Sequence, residues 1–219
     1  MEELKPNLSG YDEAIVNQNE MRKAILKAYG AISLFLIADI IAYCCDKISL
    51  RGYYSDVILF WLWFFGSIVI IVLFWKKIMA KLLLGAMILA LIGSILPMMM
   101  PFFAIVFSTT PFGLRMTKDL NKNYRAQIVG YSVMAYPVLQ IIAKKGIIER
   151  QIIQCDDTQL QNNNLDLKIR SAKDIIFDQE TDRTLSITLF YGGPNIKLTF
   201  DKATGNIIKQ QNTTNDNQR

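Results

Sequence analysis

The chain has 219 residues, of which 52% are hydrophobic and 20% charged, with a net charge of +5 and no histidine. Without histidine there is no Ser-His-Asp or Cys-His catalytic arrangement, no His-ligated metal and no imidazole pH switch. The mean hydropathy is +0.24, but the charge is unevenly spread: residues 28–114 hold only five basic and three acidic side chains. That depletion excludes an ordinary soluble fold for the middle third of the chain.

Residues 1–27 are polar, with a helix-forming stretch over 11–27 that predicts a short helix leading into the membrane. Three apolar runs follow. Ala28–Cys45 carries a single charge, Asp39, and Val57–Trp75 carries none. Leu82–Leu114 is uncharged for thirty-three residues. A hydrocarbon core of roughly 30 Å takes about 20 helical residues, so each run is long enough to cross once. Pro97, Pro101 and Pro111 cut the third run. It predicts a span over about 82–107, kinked around Pro97–Pro101, followed by an interfacial exit. The transmembrane region is thus 28–114, with spans at about 28–45, 57–75 and 82–107. A partly acidic segment precedes the first span and no small-residue cleavage site follows it, so it reads as an uncleaved signal anchor.

Basic residues in short flanks set orientation. Arg22, Lys23 and Lys27 precede the first span, and Lys76, Lys77 and Lys81 fill the second loop with no acid among them. In the first loop Asp46 and Asp56 offset Lys47 and Arg51. This predicts a cytoplasmic N-terminus and an extracytoplasmic C-terminal domain in a plasma or inner membrane. The competing arrangement takes Ala126–Ala143, uncharged and followed by Lys144 and Lys145, as a fourth span that returns the C-terminus to the cytoplasm.

Residues 115–210 predict a small α+β domain. Leu114–Arg125 reads as a polar interfacial helix. Pro137 suits the first turn of a helix over Val138–Lys145, with Gly146 at its C-cap. Ile147–Cys155 reads as a strand. Period-two alternation over Leu185–Tyr191 and Ile196–Phe200, joined by Gly192-Gly193-Pro194-Asn195, predicts an antiparallel meander that ends in a short strand over Asn206–Gln210. Gly205 supplies a positive φ in the last turn. Residues 211–219 form a polar tail expected to be disordered.

The fold class is therefore three transmembrane helices followed by a C-terminal α+β domain with an antiparallel β-meander. Asp39 is the leading functional candidate, because an ionisable group within a span suggests a pathway, a relay or a partner. Its bland alternative is to face Ser67 or water. Pro97 and Pro101 are candidates as the kink of the third span. Cys44, Cys45 and Cys155 could act as independent thiols, or Cys155 could form a disulfide with Cys44 or Cys45 in an oxidising compartment. Met98, Met99 and Met100 near Cys44 and Cys45 raise a Cu(I) site, but Met clusters are more often adaptable packing, so no metal or cofactor is assigned. Asp178, Glu180 and Asp182 are spaced as a calcium loop begins, yet Arg183 stands where glycine is required. No phosphate-binding or nucleophile-elbow motif occurs, and no enzymatic reaction is supported. The basic residues of the C-terminal part are interleaved with acids, which argues against nucleic acid. Arg115–Arg125 is expected to attract anionic headgroups.

The expected function is non-enzymatic: helices that anchor an extracytoplasmic protein-interaction domain of an assembly, regulatory or immunity-type factor. Its partners would be the lipid bilayer and a protein bound by the C-terminal domain. The alternative is a small transporter or channel component using Asp39 and the Pro-kinked third helix, which would need a homo-oligomer.

Overall fold

The structure is a computed structural model that describes residues 8–95, 100–131, 136–160 and 167–213. Helix α1 spans Leu8–Asp46 without interruption. The expected short helix and first span are therefore one element. Between residues 11 and 46 there is no proline and only Gly30 as a breaker, and one glycine costs about 1 kcal/mol, too little to end a long helix. Lys47, at φ 56°, turns the chain out of α1. Strand β1 (Ile48–Leu50) follows, and then α2 (Tyr53–Leu73) and α3 (Ile78–Ile95). Among the described residues, three segments are long and apolar enough to cross a membrane: Asn17–Asp46, Tyr53–Leu73 and Ile78–Ile95.

Of the third span expected over 82–107, the described residues show α3 and α4 (Met100–Ser108), and the segment joining them, where the kink was expected, lies outside the described residues. The nine residues of α4 are too few to cross. Pro97 lies outside the described residues, as do Met98 and Met99.

Chain contacts divide the protein into two units. One comprises residues 1–38 and 59–90, and the other residues 39–58 and 91–219. In the first unit, α1 meets α2 where the hydroxyls of Tyr29 and Ser67 hydrogen-bond at 2.9 Å. Gly66 permits the approach: a Cβ there would stand 3.2 Å from the Tyr29 ring.

The second unit holds two antiparallel sheets. Strands β2 (Leu114–Asp119), β3 (Tyr124–Val129), β4 (Val138–Lys145) and β5 (Ile148–Cys155) form a consecutive meander. Strand β1 adds to the free edge of β5, pairing Ile48 with Arg150 and Leu50 with Ile148. The second sheet runs β6 (Asp174–Glu180), β7 (Thr184–Phe190), β8 (Asn195–Asp201) and β9 (Ile207–Thr213).

Both sheets close on one core. Ala126, Ile128, Leu139 and Ile141 from the first sheet join Ile175, Ile187, Leu198 and Phe200 from the second, all with exposures of 1% or less. The alternation read in 185–200 therefore faces inward as expected. Gly192 and Gly205 carry positive φ in the two turns.

Two expected helices are strands. Leu114–Arg125 forms β2 and the start of β3, and Val138–Lys145 forms β4. The sheet registers of β3 and β4 also remove Ala126–Ala143 as a fourth helical span. Among the described residues the helical part of this domain shrinks to two short 3-10 turns, Pro111–Gly113 and Ile169–Ser171. Gln211–Thr213, expected in the tail, complete β9.

Candidate functional site

Successive side chains of a strand point to opposite faces. On β3 and β4 one parity fills the shared core, and the other presents Arg125, Gln127 and Gln140 to the opposite face. That face is polar yet closed. Gln127 and Gln140 are each 4% exposed, and Glu149 of β5 is 3% exposed. The Gln127 amide donates to Gln140 Oε1 at 2.8 Å. Arg125 donates a short charged hydrogen bond to Glu149 Oε2, which also accepts the Gly52 amide at 3.0 Å. One buried carboxylate thus ties the middle of the sheet to the turn between β1 and α2.

The membrane-side ends of α1 and α2 bring further groups. The Asp39 and Asp56 carboxyls lie near each other and near Leu50 of β1. Ser67, the polar neighbour expected for Asp39, is bonded to Tyr29 instead. The Tyr131 phenol completes the junction. Burial holds it well above the usual tyrosine range; Tyr43, Tyr53 and Asp56 add to the rise, and Arg125 opposes it. Tyr53 donates to the carbonyls of Phe107 (2.9 Å) and Thr110 (2.7 Å), anchoring the exit of α4. Gly113 is required just beyond, since a Cβ there would stand 2.1 Å from the Phe107 carbonyl oxygen.

Asp56 Oδ1, Arg125 Nε and Gln127 Oε1 are buried without a hydrogen-bond partner. Enclosed polar atoms left unpaired cost about 1–3 kcal/mol each. Asp56 Oδ1 and Gln127 Oε1 can each accept a hydrogen bond, and Arg125 Nε can donate one. Among the described residues no three acidic or thiol side chains are arranged to hold a metal ion.

Of the residues singled out from sequence, only Asp39 joins this junction. Pro101 is exposed in the first turn of α4, where a missing N–H breaks no helical hydrogen bond. Cys44, Cys45 and Cys155 are all free thiols. The first two are exposed, whereas Cys155 points into the core between the sheets, so the structure pairs it with neither. Burial pushes the Cys155 thiol up to about 12, with Asp156 and Asp157 adding to the rise. The thiolate is the reactive form. In the detergent-solubilised chain at mildly alkaline pH, a maleimide is therefore expected to modify two thiols quickly and the third only after denaturant. Rapid modification of all three would show that the core between the sheets is open.

Two of the four cations in the stretch expected to attract headgroups have protein partners: Arg125 pairs with Glu149, and Lys118 with Asp174 at 2.6 Å. Tyr131 and Glu149 were not marked by any local pattern. Asp56 alone carried a signal, as a second acid at the edge of a span.

Three membrane-length apolar helices followed by a domain of two antiparallel sheets define an integral membrane protein with a C-terminal β domain. The chain matches no family model, no curated protein and no solved structure.

Proposed function

We propose that this is a non-enzymatic membrane-anchored binding module, in which the helices hold the β domain at an extracytoplasmic surface for a protein partner. The observation that carries this reading is the pairing of β1 with β5. The strand comes from the first interhelical loop, so the domain is built onto the ends of two spans rather than hung from a linker. A partner in or beside the same bilayer would meet the first loop and the β domain as one surface. The pairing also favours the odd-span topology. With α2 and α3 each crossing once, the first loop and the C-terminal domain share a side, opposite the basic second loop.

Reporter fusions after residues 120 and 210 are expected to report the same extracytoplasmic compartment, with a fusion at the second loop cytoplasmic. A cytoplasmic signal at 210 would overturn the orientation and the reading with it. The alternative, a component of a proton or ion pathway, is favoured by one observation: Asp39 and Asp56 converge beside the unpartnered Oδ1 of Asp56. Flux through vesicles reconstituted with the full chain, lost in Asp39→Asn while the chain stays folded, would replace the binding reading by the pathway.

A further inference from the structure

A second feature lies in the other unit, at the opposite ends of α1 and α2. Beyond the Tyr29–Ser67 hydrogen bond, the first half of α1 and the turn from α2 into α3 line a cavity of roughly 690 Å³. Its outer wall is cationic, with Arg22 and Lys23 from α1 and Lys76 and Lys77 from the turn. Lys23 is shared with Glu20 at 2.9 Å. Among the described residues, no carboxylate lies within ion-pair distance of Arg22, Lys76 or Lys77. Among the described residues, no acidic side chain lines the cavity.

The inner wall is apolar and incomplete. Leu26 is 49% exposed, Val72 70% and Trp75 53%. Asn19 and Leu26, which bracket the cavity along α1, are separated by about 10 Å at the helical rise. Over that distance the lining passes from charged to hydrocarbon. It does so where the apolar windows of two spans begin and end, at the depth of the headgroups. Trp75 sits at that same level, as an interfacial indole does.

We infer that this cavity is a binding site for one anionic phospholipid, with the headgroup phosphate held by Arg22, Lys76 and Lys77 and the acyl chains laid along Leu26 and Val72. Arginine offers a phosphate a bidentate fork, and the two lysines add charge without fixed geometry. A free phosphate would satisfy the cations but would leave the apolar wall uncovered. A zwitterionic lipid would cover the wall and offer a phosphate, but its own ammonium group would stand against the cationic wall and offset that gain. Only an anionic amphiphile matches both halves.

The test uses Trp75 as the reporter. The full chain carrying Trp61→Phe and Trp63→Phe is reconstituted into phosphatidylcholine vesicles that contain a minor fraction of chain-brominated phosphatidylglycerol or brominated phosphatidylcholine. Quenching of Trp75 by the anionic lipid is expected to exceed that by the zwitterionic lipid at equal mole fraction. Neutralising Arg22→Gln, Lys76→Gln and Lys77→Gln one at a time should lower that preference by about fivefold per cation. Far-ultraviolet circular dichroism confirms that each variant keeps its helices. Equal quenching by the two lipids overturns the site. A preference abolished by inorganic phosphate but not by chloride at matched ionic strength also overturns it, because the occupant is then a small anion. A preference for the anionic lipid that survives all three substitutions in folded protein overturns it as well.

Discussion

Replacement of Arg125 by Met is expected to destabilise the C-terminal domain by about 3–5 kcal/mol, the usual cost of removing one partner from a buried ion pair. The arginine side chain is 12% exposed and its partner Glu149 only 3%. The methionine keeps much of the volume, so the loss reports charge rather than a cavity. What remains is a carboxylate enclosed on a sheet face whose neighbours are Gln127 and Gln140, with the Gly52 amide as its remaining donor. Because that amide begins the turn into α2, the damage should extend to β1. Unfolding of the detergent-solubilised full chain, followed by loss of β-sheet circular dichroism in denaturant, measures the effect. The double variant Arg125→Met, Glu149→Gln should recover a large part of it. A single-variant loss below about 1 kcal/mol would mean that Glu149 is solvated and the ion pair behaves as a surface pair.

Phe200→Ala is expected to cost a similar amount, about 3–5 kcal/mol, by a different route. Phe200 is fully buried on β8, opposite Leu185 on β7 and Ile207 on β9. Its ring belongs to the core that both sheets share, so removing it leaves a void that neither sheet can fill without moving. The same core contains Cys155, which supplies an independent readout. The variant should admit a maleimide to that thiol well before global unfolding. A normal denaturation midpoint with Cys155 still protected would show that the two sheets do not pack as one body. Arg125 lies on the face of the first sheet turned away from the shared core, whereas Phe200 lies inside that core on the second sheet, so their effects should nearly add.

The membrane segment was legible because charge depletion over twenty residues is a strong signal with few other causes. The meander of β7 to β9 was legible for a similar reason: one face is dry and the other polar, so Leu185, Ile187 and Leu189 stand out at period two. Strands β3 and β4 failed the same test. Gln140 and Ile142 are buried on the face opposite Leu139 and Ile141, and a strand closed on both faces loses its alternation. Pro137 then looked like a helix start. In β2, Lys118 occupies an inward parity and reaches Asp174 on the other sheet, which broke the pattern there. Nothing local could have revealed β1, three residues in a short loop whose partners lie far along the chain. The junction around Asp39 was legible at one residue only. Arg125 and Glu149 are 24 positions apart, and ordinary charged residues in strands carry no mark of the partner they will meet.

Pairing of β1 with β5 brings together residues about a hundred positions apart. At a synthesis rate of about 5–20 residues per second, the first loop waits roughly 5–20 seconds before its partner strand exists. Throughout that interval an open strand edge stands beside the membrane, free to take another chain's strand. Docking of β1 is therefore a late, timed event in biogenesis. It seals the sheet only after the helices have been inserted and the β domain has emerged.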